Sequence, residues 1–237
     1  MEALKKEKTM WNNKLKAVTL SYDDGVKQDK KLVEILNKYN IKCTFNLNSG
    51  MLYNECVWEK DGVPVIRMTP EECIETFKGH EIAAHSLTHP DLCNLGDHEL
   101  ERQVMGDKKL LEYIFKNRVY GMAYPGGMYD KRVKDVITKS GLLYCRTVNQ
   151  TENFEIPTDF MEVNPTCRHK NPKLLQFAEE FVNLKTDKPQ LFYLWGHSYE
   201  FDVDKNWDII EEFCRIISGK DDIYYCTNIE AFSPFFK

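Results

Sequence analysis

An α/β domain built on parallel strands is the fold this sequence predicts, and three observations predict it. Short runs of β-branched and aromatic residues alternate with segments whose apolar residues recur at helical spacing. The run Leu191-Phe192-Tyr193-Leu194-Trp195 is almost continuously apolar, the pattern of a strand buried on both faces. The 237 residues, 42% hydrophobic and 12% aromatic, lie in the range of one α/β barrel or one large α/β sheet. Repeated strand–helix units imply parallel strands joined by helical crossovers. No low-complexity tract, solenoid repeat or Pro/Gly/Ser linker interrupts the alternation, so residues 1–237 read as a single domain.

The elements follow in order. Ala17-Val18-Thr19-Leu20 is the first strand, and it runs into Ser21-Tyr22-Asp23-Asp24-Gly25. A helix over Asp29–Tyr39 carries Leu32, Val33, Ile35 and Leu36 on one stripe, and Asn40 stops it. Ile41–Leu47 reads as the second strand. Asn48–Met68, with Gly50, Gly62 and Pro64, reads as a loop or small hairpin over the mouth of the domain. Thr69-Pro70-Glu71-Glu72 opens a helix with a capping hydroxyl, a proline at the first position and acids at the positive end. That helix ends near Gly79, and Glu81–Ala84 is the third strand.

A long helix spans Asp97–Asn117, weakened at Gly106 by about 1 kcal/mol relative to alanine. Val119–Tyr124 is a strand ending in Pro125-Gly126-Gly127. Asp130 caps a helix through Lys139, and Leu142–Arg146 is the next strand. Val148–Pro172 has no clear period beyond a short strand near Phe160–Val163. A helix at Lys173–Leu184, the strand Leu191–Trp195, a helix at Lys205–Ile217 and a strand at Ile223–Cys226 complete the chain.

The net charge of −5, with acids and bases interspersed, argues against a nucleic-acid partner, which needs a clustered basic face. Clusters such as Lys5-Lys6-Glu7-Lys8 read as solvated surface. No stretch approaches the roughly 20 apolar residues of a membrane span, and Met1–Lys16 lacks the apolar segment of a signal peptide. The eight cysteines are scattered without a CxxC pair, as reduced and mostly buried thiols are. A cytoplasmic location is the expectation, unless a signal segment has been removed.

In parallel α/β folds the active site forms at the C-terminal ends of the strands. Those ends carry Asp23 and Asp24, His85 with His89 four residues on, Pro125-Gly126-Gly127, Arg146, and Gly196-His197. His85 and His89, placed on one helical turn, would face one way and could chelate a metal ion. Two imidazoles and the carboxylate of Asp24 make a three-ligand site with open positions for water. One acid of the Asp23–Asp24 pair can bind a cation while the other moves protons, and spacing alone would allow either assignment. His197, at the same rim, suits a general acid, with Trp195 and Leu194 as an apolar wall. His80 and His98 belong to the surface or to helix ends; His169 falls in the unreadable loop.

Tyr22-Asp23-Asp24-Gly25, His85-Ser86-Leu87-Thr88-His89, Tyr124-Pro125-Gly126-Gly127 and Leu194-x-x-His197 together resemble, in order, the motifs of the polysaccharide deacetylase (NodB-homology) family. The resemblance covers about residues 17–200. It implies a distorted (β/α) barrel of about seven parallel strands. It also implies that Asp23 is the catalytic base, that Asp24, His85 and His89 hold a divalent metal, and that His197 is the catalytic acid. The metal would be zinc by default, with cobalt, manganese, nickel or iron as alternatives. It would polarise an acetamide carbonyl, with the Gly126 N–H helping to stabilise the oxyanion, and His197 would protonate the leaving amine. Tyr124, Pro125, Gly126, Arg146 and Trp195 are the expected substrate-binding residues.

The chain departs from the family pattern in two places. The third motif usually begins with an arginine that holds the catalytic aspartate, and Ala123 stands there; Arg146 at the next strand end is expected to fill the same space. The family's Asp-and-Trp motif that tunes the acid histidine has no clear counterpart, with Arg168-His169 or Asp159 as candidates for the region. The implied substrate is an acetylated amino sugar or oligosaccharide. Without signal or anchor, a soluble saccharide or a polysaccharide precursor fits better than a cell-wall polymer. Two alternatives are a hydrolase of a cyclic amide or O-acetyl ester on the same fold, and a catalytically dead carbohydrate-binding relative. Oligomeric state is not encoded in any of these features.

Overall fold

The computed structural model describes residues 10–52 and 57–236. The Lys5–Lys8 cluster and Cys56 lie outside the described residues. Along the chain the elements are β1 (Lys16–Asp23), α1 (Asp29–Lys38), β2 (Thr44–Leu47), β3 (Val57–Lys60), β4 (Val63–Ile66), α2 (Pro70–Thr76), β5 (Glu81–Ala84), α3 (Asp97–Phe115) and β6 (Gly121–Ala123). They continue with α4 (Lys131–Lys139), β7 (Tyr144–Arg146), β8 (Cys167–Arg168), α5 (Leu174–Asn183), β9 (Gln190–Gly196), α6 (Tyr199–Val203), α7 (Trp207–Ile217), β10 (Ile223–Tyr225) and α8 (Asn228–Phe232).

Seven strands run parallel in the order β7-β6-β5-β2-β1-β9-β8 and form a curled half-barrel. The eighth, β10, pairs with Lys16–Val18 of β1, below the stretch Ser21–Asp23 that pairs with β2. Beyond β7 the sheet is continued by a single bridge, Arg146 to Val163, and four residues later Cys167 lies beside Leu194 of β9. The irregular stretch therefore crosses the opening between the two sheet edges. It spans a gap instead of running along the sheet, so it has no strand period, and the strand expected at Phe160–Val163 shrinks to that bridge.

Strand alternation sorts the side chains. Val18, Leu20 and Tyr22 of β1, Phe45 and Leu47 of β2, Met122 of β6, Cys145 of β7 and Phe192 and Leu194 of β9 join the main hydrophobic cluster under the helices. The alternate residues point into the barrel and are largely polar. Among them Asn46 Nδ2 donates to Ser21 Oγ (2.7 Å), Thr19 Oγ1 to Asn228 Oδ1 (2.8 Å), Asn228 Nδ2 to the Tyr193 hydroxyl (2.7 Å) and the Tyr144 hydroxyl to Glu81 Oε1 (2.9 Å). These bonds satisfy groups that would otherwise be costly to bury. Asp23, Arg146 and Trp195 continue the same inward series toward the C-terminal ends.

Three of the strands are shorter than the apolar runs suggest, pairing in the second beginning at Thr44, in the fourth at Gly121 and in the fifth at Tyr144, whereas β1 and β9 extend beyond theirs. The expected hairpin over the mouth is present as β3–β4, turning at Asp61-Gly62 with both residues at positive φ. Thr69 and Glu72 form a full capping box at α2. A separate short helix, α6, precedes α7, and α8 closes the lower end of the barrel. Gly106 has a packing reason: a Cβ there would stand 2.8 Å from Leu87 Cδ1, so glycine lets the His85–His89 loop lie against α3. The seven described cysteines are unpaired, and all but Cys93 are buried. No helix among the described residues is long and apolar enough to cross a membrane.

Candidate active site

The inward phase of β1 ends on Asp23, and the chain then turns sharply because Asp24 takes φ +86°. That left-handed conformation is costly for a residue with a Cβ, of order 1–3 kcal/mol. It is secured by the Asp24 N–H, which donates to Asn46 O at 3.0 Å. The turn brings two adjacent carboxylates into one cavity, which regular strand geometry would forbid.

Asp23 is buried and makes its closest contact with Arg146. Nη2 lies 2.6 Å from Oδ1 and 2.5 Å from Oδ2, and Asn46 Nδ2 donates to Oδ1 at 2.8 Å. Arg146 is the register partner of Ala123 and shares its inward face. An arginine, absent from the motif at Ala123, thus reaches Asp23 from one strand over. Burial would raise the Asp23 pKa, but Arg146, His85 and His197 outweigh it and hold the carboxyl at about 2.

Donor atoms of Asp24, His85 and His89 lie within 4.8 Å of one another. His85 Nδ1 faces the carbonyl of Ala123 at 2.8 Å; a carbonyl only accepts, so Nδ1 carries the proton and Nε2 keeps its lone pair for the cluster. Burial pushes the His85 pKa down to about 4 against the pull of Asp23, which keeps the ring neutral as a ligand must be. This donor set, two imidazoles and one carboxylate, fits a divalent ion. The two histidines do not share a helical turn as expected. Ser86 and His89 adopt positive φ, and the resulting bend sets the rings 4.8 Å apart.

The loop is clamped from behind. Asn48 Nδ2 donates to the carbonyls of both His85 and Ser86, and Asp107 of α3 accepts from the His85 N–H (2.9 Å) and the Ser49 N–H (2.8 Å). Arg67, at the foot of the hairpin, donates Nη2 to Asp24 Oδ1 at 3.1 Å and Nη1 to the Asp24 carbonyl. Burial opposes ionisation of Asp24, but His197, Arg67 and His85 together lower its pKa.

His197 stands across the cavity, Nε2 3.7 Å from Asp23 Oδ2 and Nδ1 3.4 Å from Glu200 Oε2. Desolvation disfavours its charged form, yet the bond to Glu200 and the charges of Asp23, Asp24 and Glu200 prevail and raise its pKa. Glu200 also meets Arg168 Nη2 and sits 3.2 Å from His169 Nε2, and it is held ionised far below the usual range. His169 is buried under β9, with Nδ1 3.2 Å from the Tyr22 hydroxyl. Gly196 permits this approach, since a Cβ there would fall 2.1 Å from His169 Nδ1. Of the two candidates for the tuning region, Arg168-His169 is at the site, through Glu200. Asp159 is not, being paired with Lys134 on the surface.

Asp23, Asp24, Arg67, His85, His89, Arg168 and His197 line a cavity of about 790 Å³ together with Tyr124, Gly126 and Trp195. Trp195 is nearly buried, with the guanidinium carbons of Arg146 and Arg168 at 4.5 and 5.2 Å from its ring. Two expected substrate-binding residues lie off the wall: Arg146 stands behind Asp23, and Pro125 lies buried beneath the turn that carries Gly126. His98 is exposed, and His80 Nδ1 accepts from the Cys43 N–H (3.1 Å) near the lower barrel end. Glu200, Arg67, Asn48 and Asp107 escaped the sequence reading. Only Glu200 had a local signal, its position three residues after His197.

Comparison with known proteins places the chain in a family. The sequence profile of the polysaccharide deacetylase family matches residues 12–145. The chain is 30% identical over 91 residues to a chitooligosaccharide deacetylase of Sinorhizobium fredii, an alignment covering 38% of this chain and 36% of that one. It thus spans about a third of the length of the curated relatives it matches. The Xyl-CE4 domain of a multidomain xylanase from the hindgut metagenome of Trinervitermes trinervoides superposes with a TM-score of 0.62 at 14% identity, covering 92% of this chain and 90% of that one. A family 4 carbohydrate esterase from Streptomyces lividans, solved with acetate, superposes with a TM-score of 0.57 at 14% identity over 86% of this chain and 88% of that one. With its profile matched over more than half the chain, its curled parallel sheet shared and its motifs converging on one cavity, this protein belongs to the polysaccharide deacetylase family.

Proposed function

We propose that the protein is a metal-dependent hydrolase that removes the N-acetyl group from an amino sugar in a saccharide or polysaccharide precursor. One observation carries the reading. Asp23 lies between Arg146 and His197 beside the Asp24, His85 and His89 cluster, so a base, an acid and a cation site share one cavity.

Asp24, His85 and His89 would hold the ion, zinc or a similar divalent metal. When bound it supplies Lewis acidity toward the acetyl carbonyl and lowers the pKa of a water. Asp23, ionised throughout the physiological range, takes the proton of the attacking water. Arg146 keeps that carboxylate oriented and ionised before the attack. His197 enters as the imidazolium favoured by Glu200 and delivers its proton to the leaving nitrogen as the C–N bond breaks. Gly126, at the cavity edge with φ +60°, offers a backbone N–H to the oxyanion. Trp195 and Tyr124 form the apolar wall against the acetyl methyl. Acetate and a free amino sugar leave.

Acetate release from N-acetylated against O-acetylated saccharides, run with zinc, cobalt, manganese, nickel and iron in turn, tests the reading. Release from N-acetyl substrates with a metal requirement supports it. Release from O-acetyl esters alone makes the enzyme an esterase, and no release with any metal removes the catalytic assignment.

A further inference from the structure

The β3–β4 hairpin is built into the site. Its foot is bonded to the Asp24 turn, with Lys27 N donating to Ile66 O (2.8 Å) and Met68 N to Gly25 O (2.9 Å), and Val26 bridging Arg67. Its inner face carries Trp58. The register pairs Trp58 with Val65, which is fully buried, whereas Val57 and Glu59 on the opposite face are exposed.

Trp58 lies 5.2 Å over the Arg67 guanidinium and edge-on to Tyr199 at 5.8 Å; the Tyr199 ring stands 5.3 Å from that of His197. Neither Trp58 nor Tyr199 packs into either hydrophobic cluster of the domain, and both line the cavity. A half-buried tryptophan outside the core, at the edge of a cavity with convergent polar groups, is a recognition surface. Its flat face matches the C–H face of a pyranose ring, which is apolar although the ring's edge is hydroxylated.

We propose that Trp58 and Tyr199 form the platform for the pyranose ring that carries the scissile acetamide, so that the hairpin makes the site selective for a glycosyl acetamide over a bare acetyl group. This rests on the deacetylase reading above. The chain of rings from His197 through Tyr199 to Trp58 starts at the group that protonates the leaving nitrogen. The ring bearing that nitrogen must occupy the next space outward. Arg67 gives the same hairpin a hold on Asp24, so ring recognition and the cation site share one element.

The test compares kcat/KM for N-acetylglucosamine and its dimer and trimer with that for 4-nitrophenyl acetate, which has no sugar ring. Trp58→Ala lowers the saccharide-to-ester ratio roughly tenfold, the scale of one lost aromatic contact. Trp58→Phe restores part of it, and Glu59→Ala on the outer face leaves the ratio unchanged. Metal content measured on each purified variant separates a damaged cation site from lost ring recognition. An unchanged ratio in Trp58→Ala, with metal bound and wild-type enzyme active on the sugars, overturns the platform alone. If the wild-type enzyme releases acetate from none of the sugars, the deacetylase reading falls and the platform with it.

Discussion

Arg146 and Asp23 form a buried ion pair between strands that lie four positions apart in the sheet, β7 and β1. In a flat sheet four spacings would separate them by about 19 Å, beyond the reach of any side chain. The pair therefore exists only because the sheet curls, and it spans the barrel interior at the catalytic end. Breaking such a pair by truncating one partner leaves an uncompensated buried charge and costs about 3–5 kcal/mol.

Arg146→Lys keeps the charge but loses the planar guanidinium, whose Nη2 meets both carboxylate oxygens while Nη1 is anchored on the Thr147 carbonyl at 3.3 Å. The expected result is a fall in kcat of about 100-fold, equivalent to about 2.7 kcal/mol, with metal content unchanged. Arg146→Ala loses turnover further and lowers the melting temperature. Wild-type kcat in Arg146→Lys, read by acetate release, removes the supporting role.

If His197 is the proton donor of the proposed mechanism, Glu200 sets the alkaline limb of the pH profile. His197 donates only as imidazolium, and its pKa is raised, so activity is present at lower pH and is lost as pH rises through that value. Glu200→Gln removes the bonded carboxylate among the groups that raise it, so the limb moves to lower pH. Profiles of kcat between pH 5 and 9 check this; an unmoved limb means that Glu200 does not act on His197. Asp23, held at about 2, contributes no limb above pH 4.

Chelation should abolish acetate release and re-addition of a divalent metal should restore it. Asp24→Ala and His89→Ala lose the ion, whereas Asp23→Asn retains it and loses turnover by a factor of about 10²–10⁴. Elemental analysis beside activity distinguishes these variants. Equal metal in wild type and Asp24→Ala would dismiss the cation site.

Arg67→Ala frees Asp24 from its hydrogen bonds to the hairpin. Residues that orient a metal ligand usually control affinity by 10–100-fold, so metal affinity should weaken by about that factor in competition with a chromophoric chelator. Unchanged affinity would confine Arg67 to hairpin packing.

The alternation of elements, hence the parallel sheet, and the rim on which the motif residues gather are legible in the sequence. Both follow from local patterns: side-chain period for the strands, and the rule that strand ends point to one face. The separation of Asp23 from Asp24 needed the turn, because only the positive φ at Asp24 brings neighbouring carboxylates into one cavity. Spacing also misjudged how His85 and His89 converge, since two left-handed residues do what a helical turn was expected to do. The rim position of Arg146 was legible, but its contact with Asp23, the meeting of Glu200 with both His197 and Arg168-His169, and the hold of Arg67 on Asp24 appear only in the tertiary structure. The contacts of Arg146 with Asp23, Glu200 with His197 and Arg67 with Asp24 join residues 123, 3 and 43 positions apart. The two longer ones depend on how the sheet curls and where the hairpin folds back, and no local period records either.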